Sequence, residues 1–124
     1  MQTVSLSKVG GLTTEILARM GSQRLAVLTS DKIVRAVVLP HTTNRQLACQ
    51  AASQYIALAN GHNADVIKAG RLKGKLLTIL ANAGVLTVLR RGVPVVILLP
   101  PPTDADHAER GAKTYLEALG IIQI

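Results

Sequence analysis

The sequence predicts an α+β fold: one β-α-β-β-α unit written twice, closing into an intramolecular pseudo-dimer through a shared antiparallel sheet. Three observations carry that expectation. Val85–Pro100 (VLTVLRRGVPVVILLP) sets two β-branched apolar runs on either side of a short basic turn, Arg90-Arg91-Gly92. Such runs around a glycine-containing turn read as a β-hairpin. Sixty residues earlier, Leu25–Pro40 (LAVLTSDKIVRAVVLP) repeats the pattern, with Leu39 under Leu99 and Pro40 under Pro100. The two tyrosines of the chain, Tyr55 and Tyr115, obey the same offset. The units divide as residues 1–60 and 61–124, and together form one compact body.

Taken in order, Thr3–Leu6 alternates and reads as a short strand, broken by Gly10-Gly11. Leu12, Ile16, Leu17 and Met20 follow at helical spacing, with Gly21 as the stop. The hairpin Leu25–Leu39 turns at Ser30-Asp31-Lys32. Beyond Pro40, Thr43 or Asn44 caps a helix running to about Ala59, with Leu47, Ala51, Tyr55 and Leu58 as its inner face. The order then recurs. Ala64–Ile67 is a strand, and Leu72, Leu76, Leu77 and Leu80 form a helical stripe ended by Gly84. The second hairpin carries Pro94, which has no N–H to donate and so belongs at a strand start or an edge. Thr103 or Asp104 caps the last helix. In this ungapped register Lys8 matches Lys68, and Gly10 matches Gly70. A fixed period of this kind marks an internal repeat. Each unit alone presents a small sheet with helices to one side, and pairing the units buries what either leaves exposed.

A 60-residue unit buries too little surface to be comfortable by itself, whereas two sharing a core are. Apolar residues make up 48% of the chain, yet Phe and Trp are absent, so the core is built from Leu, Ile, Val and Ala. The net charge of +7 points to an anionic partner, nucleic acid first. The single cysteine, Cys49, rules out an internal disulfide framework and suits a reducing compartment. The N-terminus lacks a signal-peptide apolar region, and no apolar run is long enough to span a bilayer. The expectation is a cytoplasmic protein away from membranes.

The second unit, V-I-K-A-G-R-L-K-G-K-L-L followed by G-V-L-T-V-L-R-R-G-V-P-V-V-I-L-L-P, resembles the Phd/YefM (prevent-host-death) family of antitoxins. Arg90-Arg91-Gly92-Val93-Pro94-Val95 fits the family hairpin, approximately I-T-R-R-G-x-P-V-A-x-L-V-P. Leu72, Leu76 and Leu77 fit its helix, and the opening M-Q-T-V-S-L-S is similar to a family N-terminus. The resemblance implies a dimeric DNA-binding fold that represses its own operon. Family members also carry a disordered C-terminal tail that folds on a toxin. This chain reaches Ile124 a few residues after its last helix, so the expectation is a regulator without that tail.

From Val66 to Thr103 there are six basic side chains and no acid: Lys68, Arg71, Lys73, Lys75, Arg90 and Arg91. Four stand in or just before the first turns of a helix, where cations oppose the helix dipole. A phosphate opposite them removes that conflict. The hairpin arginines meet the same backbone, or one pairs bidentately with guanine. With Lys8 these six form the expected double-stranded DNA interface. The second unit is the stronger binder, because the first has Ser30-Asp31-Lys32 in place of Arg90-Arg91-Gly92. The alternative is a protein-binding module that has lost DNA contact and holds a toxin or another partner, through its helices or the tail Ile121–Ile124. Further homodimerisation is compatible with either. Single strands fit less well, since stacking wants aromatic platforms and both tyrosines fall on inner helix faces.

No cofactor is called for. Asp104-Ala105-Asp106-His107 superficially suggests metal ligands, but its aspartates read as helix-capping groups and His107 as a surface residue. His41 and His62 lie next to turns, and Cys49 lacks a catalytic context and packs on its helix. The glycine spacing in Gly70–Lys75 is wrong for a Walker loop. No triad or carboxylate pair emerges, so an enzyme is not expected.

Overall fold

The computed structural model describes residues 3–5, 26–30, 33–61, 65–68 and 74–121. The expected helix over Leu12–Met20, Gly10, Gly70 and His62 lie outside them, as do Ile122–Ile124 of the proposed tail. The fold is α+β. Six strands, β1 (Thr3–Ser5), β2 (Ala26–Ser30), β3 (Ile33–Pro40), β4 (Asp65–Lys68), β5 (Leu86–Arg90) and β6 (Val93–Leu99), form one sheet. Its order is β1-β5-β6-β3-β2-β4. Three helices pack on it: α1 (Arg45–Leu58), α2 (Gly74–Ala83) and α3 (Ala105–Ala118).

The shared sheet is mixed, not antiparallel throughout. The central strands β2, β3, β6 and β5 pair antiparallel, but the edge strands add in parallel, β1 beside β5 and β4 beside β2. The reason is an exchange. The strand opening the first half lies on the hairpin of the second, and the strand opening the second lies on the hairpin of the first. An edge strand arriving across the molecule carries the direction of the hairpin arm that it joins.

Ser5 stands opposite Leu89, and Lys68 stands opposite Thr29, so Ser5 takes on β5 the place that Lys68 takes on β2; Lys8 lies outside the described residues.

Helices cover both faces of the sheet, where one-sided packing was expected. On one face Ala36, Val38, Val96 and Leu98 pack with Leu76 and Leu80 of α2. On the other Val37, Leu39, Ile97 and Leu99 pack with α1 and α3. The consecutive apolar residues of Ala36–Leu39 and Val96–Leu99 follow directly, because a strand covered on both sides has no solvent face. Each fully buried Leu, Ile or Val there stabilises the fold by roughly 1.5–3 kcal/mol.

The inner face of α1 is Ala48, Ala51, Ala52 and Tyr55, while Leu47 and Leu58 are only half-buried. The matching residues of α3 are Ala108, Ala112 and Tyr115. Small residues let the two helices approach closely, which displaces the larger leucines to the rim. A Cβ at Gly111 would fall 2.7 Å from Cε2 of Tyr55. Cys49, expected to pack on its helix, is exposed, because Ala48 and Ala52 take the interface on either side of it.

The tyrosines fasten the halves reciprocally. Tyr55 donates its hydroxyl to the carbonyl of Pro100 at 2.6 Å, and Tyr115 donates to the carbonyl of Pro40 at 2.5 Å. Each proline ends a strand of one half, and each tyrosine comes from the helix of the other. The caps resolve to Asn44, whose side chain accepts from the Leu47 N–H, and Asp104, which accepts from the His107 N–H. His107 is half-buried, and its Nδ1 accepts from the Thr103 N–H at 3.1 Å.

Candidate nucleic-acid interface

Hairpin β5–β6 closes with Arg90 opposite Val93, leaving Arg91-Gly92 as a two-residue turn. Both turn residues have positive φ, 53° at Arg91 and 78° at Gly92. That is the type I′ turn, whose twist matches the flanking strands and whose first position favours Asn, Asp or Gly. Arginine there costs on the order of 1 kcal/mol of left-handed backbone strain. In return Arg90 and Arg91 both stand exposed at the tip of a rigid arm. Pro94 follows, opposite Leu89. It lies outside the stretch of β6 that pairs with β3, Val96–Leu99, so its missing N–H breaks no bond there.

Each hairpin carries a β-bulge at the same place. Thr29 pairs with Val34 and Leu28 with Ala36, which leaves Arg35 as the extra residue of β3. Leu89 pairs with Pro94 and Val88 with Val96, which leaves Val95 as the extra residue of β6. A bulge re-aims a side chain and strengthens local twist. Where the second half spends this position on an apolar contact of Val95 with the core, the first presents half-buried Arg35. Sequence reasoning passed over Arg35 because alternation alone cannot place a bulge. The offset pairing with Val95 was the available signal.

The two tips lie at opposite ends of the sheet. Val38 and Leu98 stand face to face at its middle. Ile33 and Val93 lie five residues from that point in opposite directions. Each arm contains one bulge, so Ile33 to Val38 spans four steps of β2, Ser30 to Ala26, and Val93 to Leu98 spans four steps of β5, Arg90 to Leu86. At about 3.3 Å per step, roughly 26 Å separates them along the strands.

The expected interface is therefore divided. Lys68 ends β4 beside Thr29, at the tip of the first hairpin. Arg90 and Arg91 occupy the tip of the second, beside Ser5 of β1. The structure does not bring Lys68 together with the arginines: four strand spacings of about 4.8 Å, roughly 19 Å, separate β4 from β5 across the sheet. Lys75 sits in the first turn of α2 on the chain leading away from Lys68. The side chains of Lys68 and Lys75, and the whole of Lys8, Arg71 and Lys73, lie outside the described residues.

The acidic groups have a different address. Of the described acids, Asp104, Asp106, Glu109 and Glu117 belong to α3 or its cap, and Asp65 opens β4, at the end away from Lys68; Glu15 and Asp31 lie outside the described residues. Among the described residues no group of His, Cys, Asp and Glu is placed to hold a metal ion. No described helix is long and apolar enough to cross a membrane. No family model, curated protein or solved structure matches this chain.

Proposed function

We propose that this protein is a double-stranded DNA-binding regulator, built as a tandem duplication related to the DNA-binding domain of Phd/YefM antitoxins and gripping the duplex at two points. The observation that carries the reading is the placement of cations at both ends of one sheet, Arg90 and Arg91 at one and Lys68 at the other, with tips about 26 Å apart. At about 3.4 Å per base pair, that separation spans roughly eight base pairs of B-DNA. The strained Arg91 supports it, since strain retained at an exposed tip points to use.

Four correspondences support the duplication. The sheet order reads the same from either edge once the halves are exchanged. Bulges fall at Arg35 and Val95, caps at Asn44 and Asp104, and the tyrosine bonds are reciprocal. The exchange of edge strands makes the sites composite, so neither half is the sole binder.

Fluorescence anisotropy with a labelled duplex from upstream of the reading frame, at a series of salt concentrations, tests the reading. The slope of log affinity against log salt scales with the number of phosphates neutralised, by about 0.9 for each. Arg90→Ala with Arg91→Ala lowers the slope by about two if both arginines meet phosphates. Lys68→Ala lowers it by about one, from the opposite end. Affinity and slope unchanged in both variants refute the assignment.

A further inference from the structure

The large hydrophobic side chains exposed among the described residues are Ile33, Val34 and Val93, at 52%, 40% and 61% exposure. Scattered single aliphatics on a surface need no explanation. These are not scattered. Ile33 and Val93 are the first residues after the turn of their respective hairpins, at equivalent positions, and each is followed by a second exposed apolar residue, Val34 or Pro94. Beyond half-buried Arg35 and Val95, the rest of β3 and β6 is buried. An aliphatic pair at each tip is thus a repeated feature of the arms.

At the second tip the pair adjoins Arg90 and Arg91, both exposed and with no acidic residue on the hairpin. An apolar point ringed by cations is repelled from other basic surfaces, and it matches a polyanion that offers apolar surface between its charges. Stacked base pairs flanked by phosphates are such a partner. DNA-bending proteins insert aliphatic or proline wedges between base steps, with basic residues holding the adjacent phosphates.

We propose that the hairpin tips are wedges: Val93 with Pro94, and Ile33 with Val34, enter base steps about eight base pairs apart and bend the duplex around the sheet. The proposal rests on the DNA-binding reading above and adds what the tips do on the duplex. It also supplies a source of selectivity that requires no hydrogen bond to a base. Pyrimidine–purine steps such as TA unstack and kink most easily. A duplex with two TA steps about eight base pairs apart should therefore be preferred over one lacking them.

The experiment uses the full chain and two duplexes of about forty base pairs, one with TA steps in that spacing and one without, end-labelled for energy transfer. The expected result is tighter binding of the TA duplex, by about tenfold, with a rise in end-to-end transfer at saturation. The double variant Ile33→Ser/Val93→Ser should keep salt-sensitive binding to both duplexes, lose the preference and leave transfer at its free-DNA value. Val93→Leu, which keeps a wedge, should retain bending. Circular dichroism verifies that the serine variant is folded, as expected for positions this exposed.

Two outcomes overturn the wedge while leaving the DNA reading intact: saturated binding without a change in transfer, or bending by the serine variant equal to the wild type. Absence of salt-sensitive binding to either duplex removes both readings. Binding to vesicles of anionic phospholipid that exceeds binding to DNA, and is lost in the serine variant, would assign the tips to a membrane surface and overturn the wedge.

Discussion

Removing the hydroxyl of Tyr55 or Tyr115 tests whether the two halves hold each other. Both rings are fully buried, and each hydroxyl donates a short bond to a proline carbonyl of the opposite half, at 2.6 and 2.5 Å. Phenylalanine fills nearly the same volume, so Tyr→Phe deletes the bond without opening a cavity large enough to matter. A buried acceptor left without its donor costs about 1–3 kcal/mol. Each single variant should lose that amount, and Tyr55→Phe/Tyr115→Phe should lose about 2–6 kcal/mol. A domain of this size has only about 5–15 kcal/mol in total. Urea denaturation followed by circular dichroism is the assay, since the chain has no tryptophan to report on the core. The midpoint should fall while the slope stays constant, meaning that stability changes and the surface exposed on unfolding does not. Because each bond joins a helix of one half to a strand end of the other, the transition should also remain single for all probes. A loss below about 0.5 kcal/mol in both single variants would refute the argument, because the carbonyls would then have other partners.

Gly111→Ala should destabilise by about 1–3 kcal/mol in the same assay, despite alanine being the better helix former by about 1 kcal/mol, because the added Cβ overpacks Tyr55. The contacts are 2.7 Å to Cε2 and 2.8 Å to the hydroxyl, which cannot shift without straining its bond to Pro100; a stabilised variant would overturn this. Arg91→Gly should raise stability by up to about 1 kcal/mol by relieving the left-handed backbone, and should weaken DNA binding and lower its salt slope; loss of stability in that variant would refute the strain argument. Burial pushes the Tyr55 hydroxyl up from its ordinary value of 10 to about 12, and burial with the charge of Cys49 pushes Tyr115 higher still. A phenol whose folded pKa lies above its unfolded one lends stability that is full below pH 10 or so and is lost as pH rises through its folded value. Alkaline unfolding should therefore set in above pH 10, with tyrosinate absorbance appearing together with loss of circular dichroism; ionisation of both rings near pH 10 in a folded chain would contradict it.

The parts of the fold that local chemistry dictates were readable in advance. Arg91-Gly92 between two apolar runs specifies a hairpin, and its boundaries agree with β5 and β6. Asn44 and Asp104 were among the caps named, since a short polar acceptor before a helical run has few other uses. Gly84 ends α2 as expected, with φ of +76° and its N–H donating to Leu80. Features that depend on who pairs with whom were not readable. The parallel edge strands have no local signature, because β1 and β4 are short and their partners belong to the other half of the chain. One signal was present and misread. Of the expected inner face of α1, Ala51 and Tyr55 are buried, but Leu47 and Leu58 give way to Ala48 and Ala52, small residues that mark close approach to another helix. The unbroken runs Ala36–Leu39 and Val96–Leu99 equally implied helices on both faces.

The pairing of β1 with β5 and of β4 with β2 changes what the sequence implies for the candidate interface. If each half had kept its own first strand, Lys68 would lie with Arg90 and Arg91, and one end of the molecule would hold the basic residues of the second half. The other end would have only the Ser30-Asp31-Lys32 hairpin, and a one-ended, asymmetric grip would follow. The exchange instead sends Lys68 to the poorer hairpin. It leaves the hairpin arginines beside uncharged Ser5. Cations are thereby shared between the two ends although the sequence concentrates them in one stretch. A single-chain pseudo-dimer can let its halves diverge in charge without losing two-point contact, provided that each half supplies part of the other's end. On this argument the order of cations along the chain is a poor guide to their order in space, and symmetry of the bound DNA site should exceed symmetry of the sequence.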